Sequence, residues 1–155
     1  MELQNLERSL AEHAFVADLP HDHLAFLAGC TKNARFEAGK FLFREDAAAD
    51  RLFLIRQGKV ALEAALPGRG SVQVETLGPG DVLGWSVLFA PYRWHVDGRA
   101  IEPTLAFTVD GACLRRKLEE SAEFGYALTR RLLYQVHRRL ERARLQQLDV
   151  YKAHV

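Results

Sequence analysis

Between Gly84 and His95 the chain gathers the groups best suited to holding an anion. Arg93 and His95 supply cationic or donor side chains, and Ser86 supplies a hydroxyl. The backbone amides of Trp85, Ser86 and Val87 follow directly on a glycine, a pattern that lets N–H groups converge on a phosphate or similar group. Trp85 and Trp94 offer indole faces that would stack a planar ring or shield a pocket. The competing reading makes Trp85, Phe89, Tyr92 and Trp94 the plug of a pocket without a ligand; a plug, however, needs no charge. His95 has no second His or Cys at a supporting spacing, which argues against a haem or metal ligand. No nucleophile–base arrangement and no pair of carboxylates recurs, so the residues do not point to an enzyme.

The elements that must position this loop change character along the chain. Residues 1–34 read as an N-terminal helical segment, with Leu3, Leu6, Leu10 and Phe15 spaced for one face and a second helix beginning near Pro20 as a first-turn residue. Residues 35–111 switch to short strand-like runs punctuated by glycine: Leu52-Phe53-Leu54-Ile55, Val60-Ala61-Leu62-Glu63, Val72-Gln73-Val74-Glu75, Gly98–Glu102 and Thr104–Val109. Gly39, Gly58 and Gly80 fall where such strands must turn. Many short strands about ten residues apart suggest an antiparallel sandwich or barrel. Residues 112–155 turn helical again, with a short helix near Cys113–Glu120 and a long one from about Glu123 to Tyr151. The expected class from these patterns is α+β, mainly β: an antiparallel sandwich or barrel with N-terminal helices and a long C-terminal helix.

The long helix carries Leu133, Val136, Leu140, Ala143, Gln147 and Val150 at alternating spacings of three and four, the seam of a two-helix contact. Leu128, Leu132 and Tyr134 are placed against the chain's own barrel. A parallel homodimer through this helix is therefore the expected assembly. Arg130, Arg131, Arg138, Arg139, Arg142, Arg144 and Lys152 crowd the same helix, and the apolar residues among them favour a solvated face over a nucleic-acid contact. Arg115-Arg116-Lys117 reads as a basic surface patch. His13, His21, His23, His137 and His154 are expected on helix surfaces.

Composition sets wide bounds. With 48% hydrophobic and 26% charged residues and a formal net charge of +1, the 155-residue chain is an ordinary globular protein with no global attraction to nucleic acid. No apolar run approaches the roughly 20 residues of a membrane helix. The first residues lack the basic start and apolar stretch of a secretory signal, so a cytoplasmic protein without membrane contact is expected. Cys30 and Cys113 sit in no C-x-x-C pair; both are expected as buried small hydrophobes, with no zinc, redox-dithiol or iron–sulfur role.

Three segments together resemble the cyclic nucleotide-binding domain, as found in the sensor half of Crp/Fnr-type regulators: Phe36-Glu37-Ala38-Gly39-Lys40-Phe41-Leu42-Phe43-Arg44-Glu45-Asp46, Ala49–Val60, and Leu77-Gly78-Pro79-Gly80-Asp81-Val82-Leu83-Gly84. The resemblance spans about residues 12–150. It implies an α+β, mainly β fold, an antiparallel β jelly-roll barrel with N-terminal helices and a long C-terminal dimerisation helix, and an effector in the barrel held by backbone amides, a Gly-Glu pair and an Arg that neutralises a phosphate. Gly84 matches the glycine, Trp85 stands in place of the Glu, and counting back from Arg99-Ala100-Ile101 puts Trp94 at the Arg position and His95 at the hydroxyl position. A shift of one residue would restore Arg93 as the phosphate partner. No cofactor is implied beyond a cyclic nucleotide or another anionic ligand.

The expected function is a non-enzymatic small-molecule sensor acting as a dimeric regulator through an unidentified protein partner. The alternatives are a ligand-free interaction module and the sensor half of a longer Crp/Fnr regulator. If the chain is complete, it lacks the helix-turn-helix needed for direct DNA binding.

Overall fold

In the computed structural model, which describes Glu2–Ala153, Leu52-Phe53-Leu54-Ile55 occupies the middle of strand β3 (Arg51–Gln57), and all four side chains are fully buried. A strand reads as an unbroken apolar run when both of its faces are covered. Phe53 points into the barrel, with ring centroids 5.7 Å from Phe43 and 6.0 Å from Phe36. Leu54, on the opposite face, pairs in register with Phe107, which packs edge-on against His13 outside the barrel (6.4 Å).

Around β3 the other strands are β1 (Thr31–Phe36), β2 (Phe41–Phe43), β4 (Val60–Leu66), β5 (Gly70–Leu77), β6 (Val82–Leu83), β7 (Asp97–Ala100) and β8 (Thr104–Asp110). They form two antiparallel four-stranded sheets in the orders β1-β8-β3-β6 and β2-β7-β4-β5, the jelly-roll sandwich expected. Helices α1 (Glu2–Ala11) and α2 (His21–Ala28) precede it; α3 (Gly111–Glu120) and α4 (Ala122–Ala153) follow. Gly58, between β3 and β4, has φ +97°, and a Cβ there would lie 2.5 Å from the Pro103 carbonyl oxygen. Both the turn and the close approach demand glycine. None of the helices of the described residues is long and apolar enough to cross a membrane.

Several local expectations are corrected. Helix α1 stops at Ala11, and Phe15 lies in a separate 3-10 turn (Ala14–Val16), because the His13 side chain caps that turn instead of continuing the helix. Pro20 is the N-cap of α2, one place before the first turn. Strand β7 ends at Ala100, so Ile101 and Glu102 lie outside it. Tyr134 is 60% exposed and does not face the barrel. His154 lies outside the described residues.

The cysteines are also corrected: Cys30 and Cys113 form a disulfide across 83 residues, with Cα atoms 5.8 Å apart. Register explains the meeting. Thr31 pairs with Val109, and the Asp110 N–H donates to the Cys30 carbonyl (2.9 Å), so the end of α2 and the first turn of α3 arrive at the same edge of the β1–β8 ladder. Spacing in sequence carries no trace of that pairing.

His13 and His23 are buried, not on helix surfaces; His21 and His137 are exposed. The His13 Nε2–H donates to the Ile55 carbonyl (2.8 Å) while Nδ1 accepts from the Phe15 N–H (3.1 Å), which uses both nitrogens of the neutral ring. Burial pushes its pKa below the ordinary 6.5; nearby Arg56 acts in the same direction, partly offset by the Ile55 carbonyl and Asp81. As pH falls, the unfolded chain takes up this proton first. The contribution is therefore complete above 6.5 and is lost as pH drops through the lower, folded-state value. The melting temperature should hold steady above about pH 7 and decline toward pH 5. His13→Gln should flatten that decline; an unchanged slope in the variant would assign it to other groups.

Candidate functional site

The loop after β6 is shaped by a second demanding glycine. Gly84 has φ +100°, and a Cβ on it would lie 2.9 Å from the Arg51 carbonyl oxygen and 3.0 Å from Trp94 Cη2. It opens a 3-10 turn over Trp85–Leu88. Downstream, residues 92–94 run antiparallel to residues 46–49: Asp46 N–H donates to the Trp94 carbonyl (2.9 Å), Trp94 N–H to the Ala47 carbonyl (3.1 Å), and Ala49 N–H to the Tyr92 carbonyl (2.7 Å). In such an extended pair, successive side chains take opposite faces. Trp94 accordingly turns into the barrel and Arg93 turns out.

Trp94 is 4% exposed and stacks on Phe43 with ring centroids 4.1 Å apart and planes 19° from parallel. Glycine makes room on both sides of the stack: Gly84 lies against Trp94, and a Cβ at Gly98 would meet Phe43 Cζ at 2.6 Å. The cavity that remains is about 130 Å³, lined by Gly84, Trp85, Ser86, Trp94, His95 and Arg139 among others. Arg93 is not part of its wall; the exposed guanidinium donates to the Asp46 carbonyl (2.5 Å). Val87 is fully buried, and its carbonyl accepts from Arg115 (2.5 Å). His95 is exposed at the cavity edge. Arg99 follows the inward-facing Gly98 and so takes the other face of its sheet, where it grips Glu63 (2.7 and 3.2 Å). The Arg99 hydrogen bonds hold the Glu63 carboxyl below the usual carboxylate range.

Arg139 is the cavity residue that sequence reasoning missed. Its side chain is 11% exposed, bonded at both carboxylate oxygens of Glu75 on β5 (2.9 and 2.5 Å), and its guanidinium lies 4.3 Å over the Trp85 ring. Arg142 similarly reaches Asp81 (3.3 Å). Arg139 is therefore not on a solvated face, while the Arg142 side chain, 41% exposed, is half-solvated. The buried line of α4 runs Phe124, Leu128, Leu132 and Gln135; in the same steps of three and four it continues in the half-buried Arg139 and Arg142, where the helix passes the rim of the barrel. Steps of three and four from Leu132 would have found them. By contrast, Leu133, Val136, Leu140, Leu145 and Leu148 are exposed, so the apolar residues among the arginines form more than one stripe. The 115–117 patch is likewise engaged: Arg115 stacks on Tyr92 (4.4 Å), and Lys117 donates to the Phe26 carbonyl (2.5 Å).

A second, larger concavity of about 730 Å³ lies between the 85–88 turn and α4, lined by Trp85, Leu88, Phe89, Tyr126, Leu133 and Val136 among others. It is predominantly apolar and open to solvent. It adjoins the first residues of the exposed helical seam.

A search of the curated proteins returns no relative. Among solved structures, a putative cyclic nucleotide-binding protein from Geobacter metallireducens is 27% identical, with a TM-score of 0.76 over 90% of this chain and 98% of that one. A cyclic nucleotide-binding domain from Methylobacillus flagellatus is 18% identical with a TM-score of 0.78, covering 96% of this chain and 83% of that one. The sensor domain of the transcriptional regulator DNR from Pseudomonas aeruginosa is 18% identical with a TM-score of 0.70, covering 91% and 95%. The last two likenesses establish fold alone. The family described as "Cyclic nucleotide-binding domain" matches residues 34–121, from within β1 through α3, the span that holds the Trp94–Phe43 stack and the Gly84 turn. The chain belongs to the cyclic nucleotide-binding domain family, a family of non-catalytic regulatory sensor domains.

Proposed function

We propose that this sensor domain works as a homodimeric regulator of a partner protein, and that its barrel takes a small anion in place of a cyclic nucleotide. The observation that carries this reading is the Trp94–Phe43 stack. It leaves about 130 Å³ where ligand pockets generally span ~300–1,000 Å³. Within that space Ser86, His95 and Arg139 are the polar groups that would meet an anion, beside Gly84, Trp85 and Trp94. Val87 would join only through its backbone N–H, and only by releasing the Gly84 carbonyl that this N–H now meets at 3.2 Å. Arg93 would join only by releasing the Asp46 carbonyl and swinging inward. The Glu75 carboxylate already neutralises Arg139, so an incoming anion would have to compete with it.

The case for the dimer rests on α4. Leu133, Val136, Leu140, Ala143, Gln147 and Val150 are all exposed, and their three-four alternation matches the period of a two-stranded coiled coil. Leu133 is 67% and Val150 58% exposed, so apolar side chains recur at both ends of the seam, and apolar residues lined up along one exposed face mark an interaction surface. A second copy's α4 would cover this seam and the adjoining groove.

Calorimetry with cyclic AMP, cyclic GMP, a cyclic dinucleotide and inorganic phosphate tests the ligand. Phosphate should bind and the three nucleotides should not; micromolar cyclic-nucleotide binding, or no phosphate binding, would overturn the small-anion reading. Light scattering tests the assembly: the parent chain should be a dimer at micromolar concentration and Leu133→Glu/Leu140→Glu a folded monomer. A monomeric parent would end the dimer reading while leaving the ligand question separate.

A further inference from the structure

The disulfide sits at a junction of three elements. Cys30 follows α2 and is buried, whereas Cys113 on α3 is partly exposed, with Arg116 Nη2 3.7 Å from its sulfur. Lys117, one turn on, donates to the Phe26 carbonyl of α2 and lies 4.3 Å over the Phe26 ring. From the same helix Arg115 donates to the Val87 carbonyl and stacks on Tyr92. Helix α3 is thus fastened to α2 by the S–S bond and Lys117, and to the 85–92 loop by Arg115.

We propose that the Cys30–Cys113 bond is a thiol–disulfide exchange site, opened at Cys113 by a small-molecule thiol such as glutathione, and that its state is passed through α3 to residues 85–92. A partly exposed cysteine beside a guanidinium favours exchange, because the cation attracts the attacking thiolate and, in the second step, stabilises the Cys113 thiolate released; Glu120, 3.7 Å from the Arg116 Nε, shares that guanidinium and moderates its pull. The attacking thiolate bonds to Cys113 Sγ, the S–S bond breaks, and Cys30 leaves as a thiolate that takes a proton from water. A second thiolate attacks the sulfur of the first thiol in the mixed disulfide. That step frees Cys113 as a thiolate beside Arg116 and leaves the two small thiols joined as their own disulfide. Two electrons pass from the two thiols to the protein.

The fold can survive this opening. The two ends are also held by the Thr31–Val109 register and the Asp110 to Cys30 backbone hydrogen bond, so the β1–β8 ladder keeps its strands when the sulfurs part. What loosens is α3, and with it the Arg115 grip on the loop. This device needs neither ligand nor partner to be observed, so it stands or falls apart from the dimer and anion readings.

The test is native-state reduction with millimolar glutathione, followed by alkylation, mass spectrometry and hydrogen–deuterium exchange. The expected result is two alkylatable thiols per folded chain, faster exchange in residues 85–92 and 111–118, a melting temperature lower by about 5–15 °C, and recovery on adding oxidised glutathione. Cys30→Ser/Cys113→Ser should show the exchange pattern of the reduced chain. Arg116→Ala should slow reduction about 3–10-fold without altering the fold. Alkylation before any reductant, a bond that yields only when the chain is unfolded, reduction with unchanged exchange at 85–92, or an unaffected rate in Arg116→Ala would each overturn the proposal.

Discussion

Replacing Trp94 with alanine is expected to lower stability by about 3–5 kcal/mol, which for a chain of this size lowers the melting temperature by roughly 6–20 °C. The indole is 4% exposed, stacked 4.1 Å from Phe43 and tilted against Phe53 at 6.2 Å, so its removal strips contacts from the aromatic centre of the barrel. Collapse is limited because the walls are hydrogen-bonded strands and the neighbouring positions are glycines. The cost should therefore include a cavity term as well as the lost transfer free energy. The present space of about 130 Å³ should roughly double, approaching the lower end of the range in which small molecules bind. Indole at millimolar concentration should then raise the variant's melting temperature and leave the parent's unchanged. A variant that melts within about 2 °C of the parent would show that Trp94 does not hold the barrel together.

Arg139→Ala is expected to cost about 2–3 kcal/mol. Removing one partner from a buried ion pair generally costs ~3–5 kcal/mol, and the 26% exposure of the Glu75 side chain moderates that penalty because water can partly resolvate the abandoned carboxylate. Loss of the guanidinium from the Trp85 face adds to it on the order of 1 kcal/mol. A thermodynamic cycle of Arg139→Ala, Glu75→Gln and the double variant isolates the pair; a coupling of about 1–2 kcal/mol is expected, and none at all would refute the latch. Hydrogen exchange provides an independent reading. In the single Arg139 variant, protection should fall beyond residue 139 of α4 and at the 85–88 turn, while β3 and β8 keep theirs.

These two residues explain how unevenly the site can be read from sequence. Trp94 was identifiable as a site residue, and its position against Arg99-Ala100-Ile101 placed it where the family carries an arginine. Whether the inward residue was Trp94 or Arg93 depended on the pairing of residues 92–94 with 46–49, a contact across more than forty residues that local spacing does not encode. Arg139 was hidden more completely. On a helix with arginines on several sides, charge alone does not say which of them faces a carboxylate on another strand. Only the continuation of the Phe124-Leu128-Leu132 line marks it.

The barrel itself was legible because its signals are local: period-two runs, an apolar β3 buried on both faces, and glycines at turns whose φ only glycine adopts easily. The long uninterrupted final helix was equally plain. The tertiary structure alone decided the outcomes that depend on distant parts of the chain meeting: the Cys30–Cys113 bond, the burial of His13 against Ile55, the outward turn of Arg93, and the seating of Arg139 on Glu75. Local patterns declare themselves within a few residues, because backbone preference and burial periodicity act over that range. Which side chain neutralises, fills or covalently fastens another is settled by strand register and helix rotation, and these exist only once the sheets have closed.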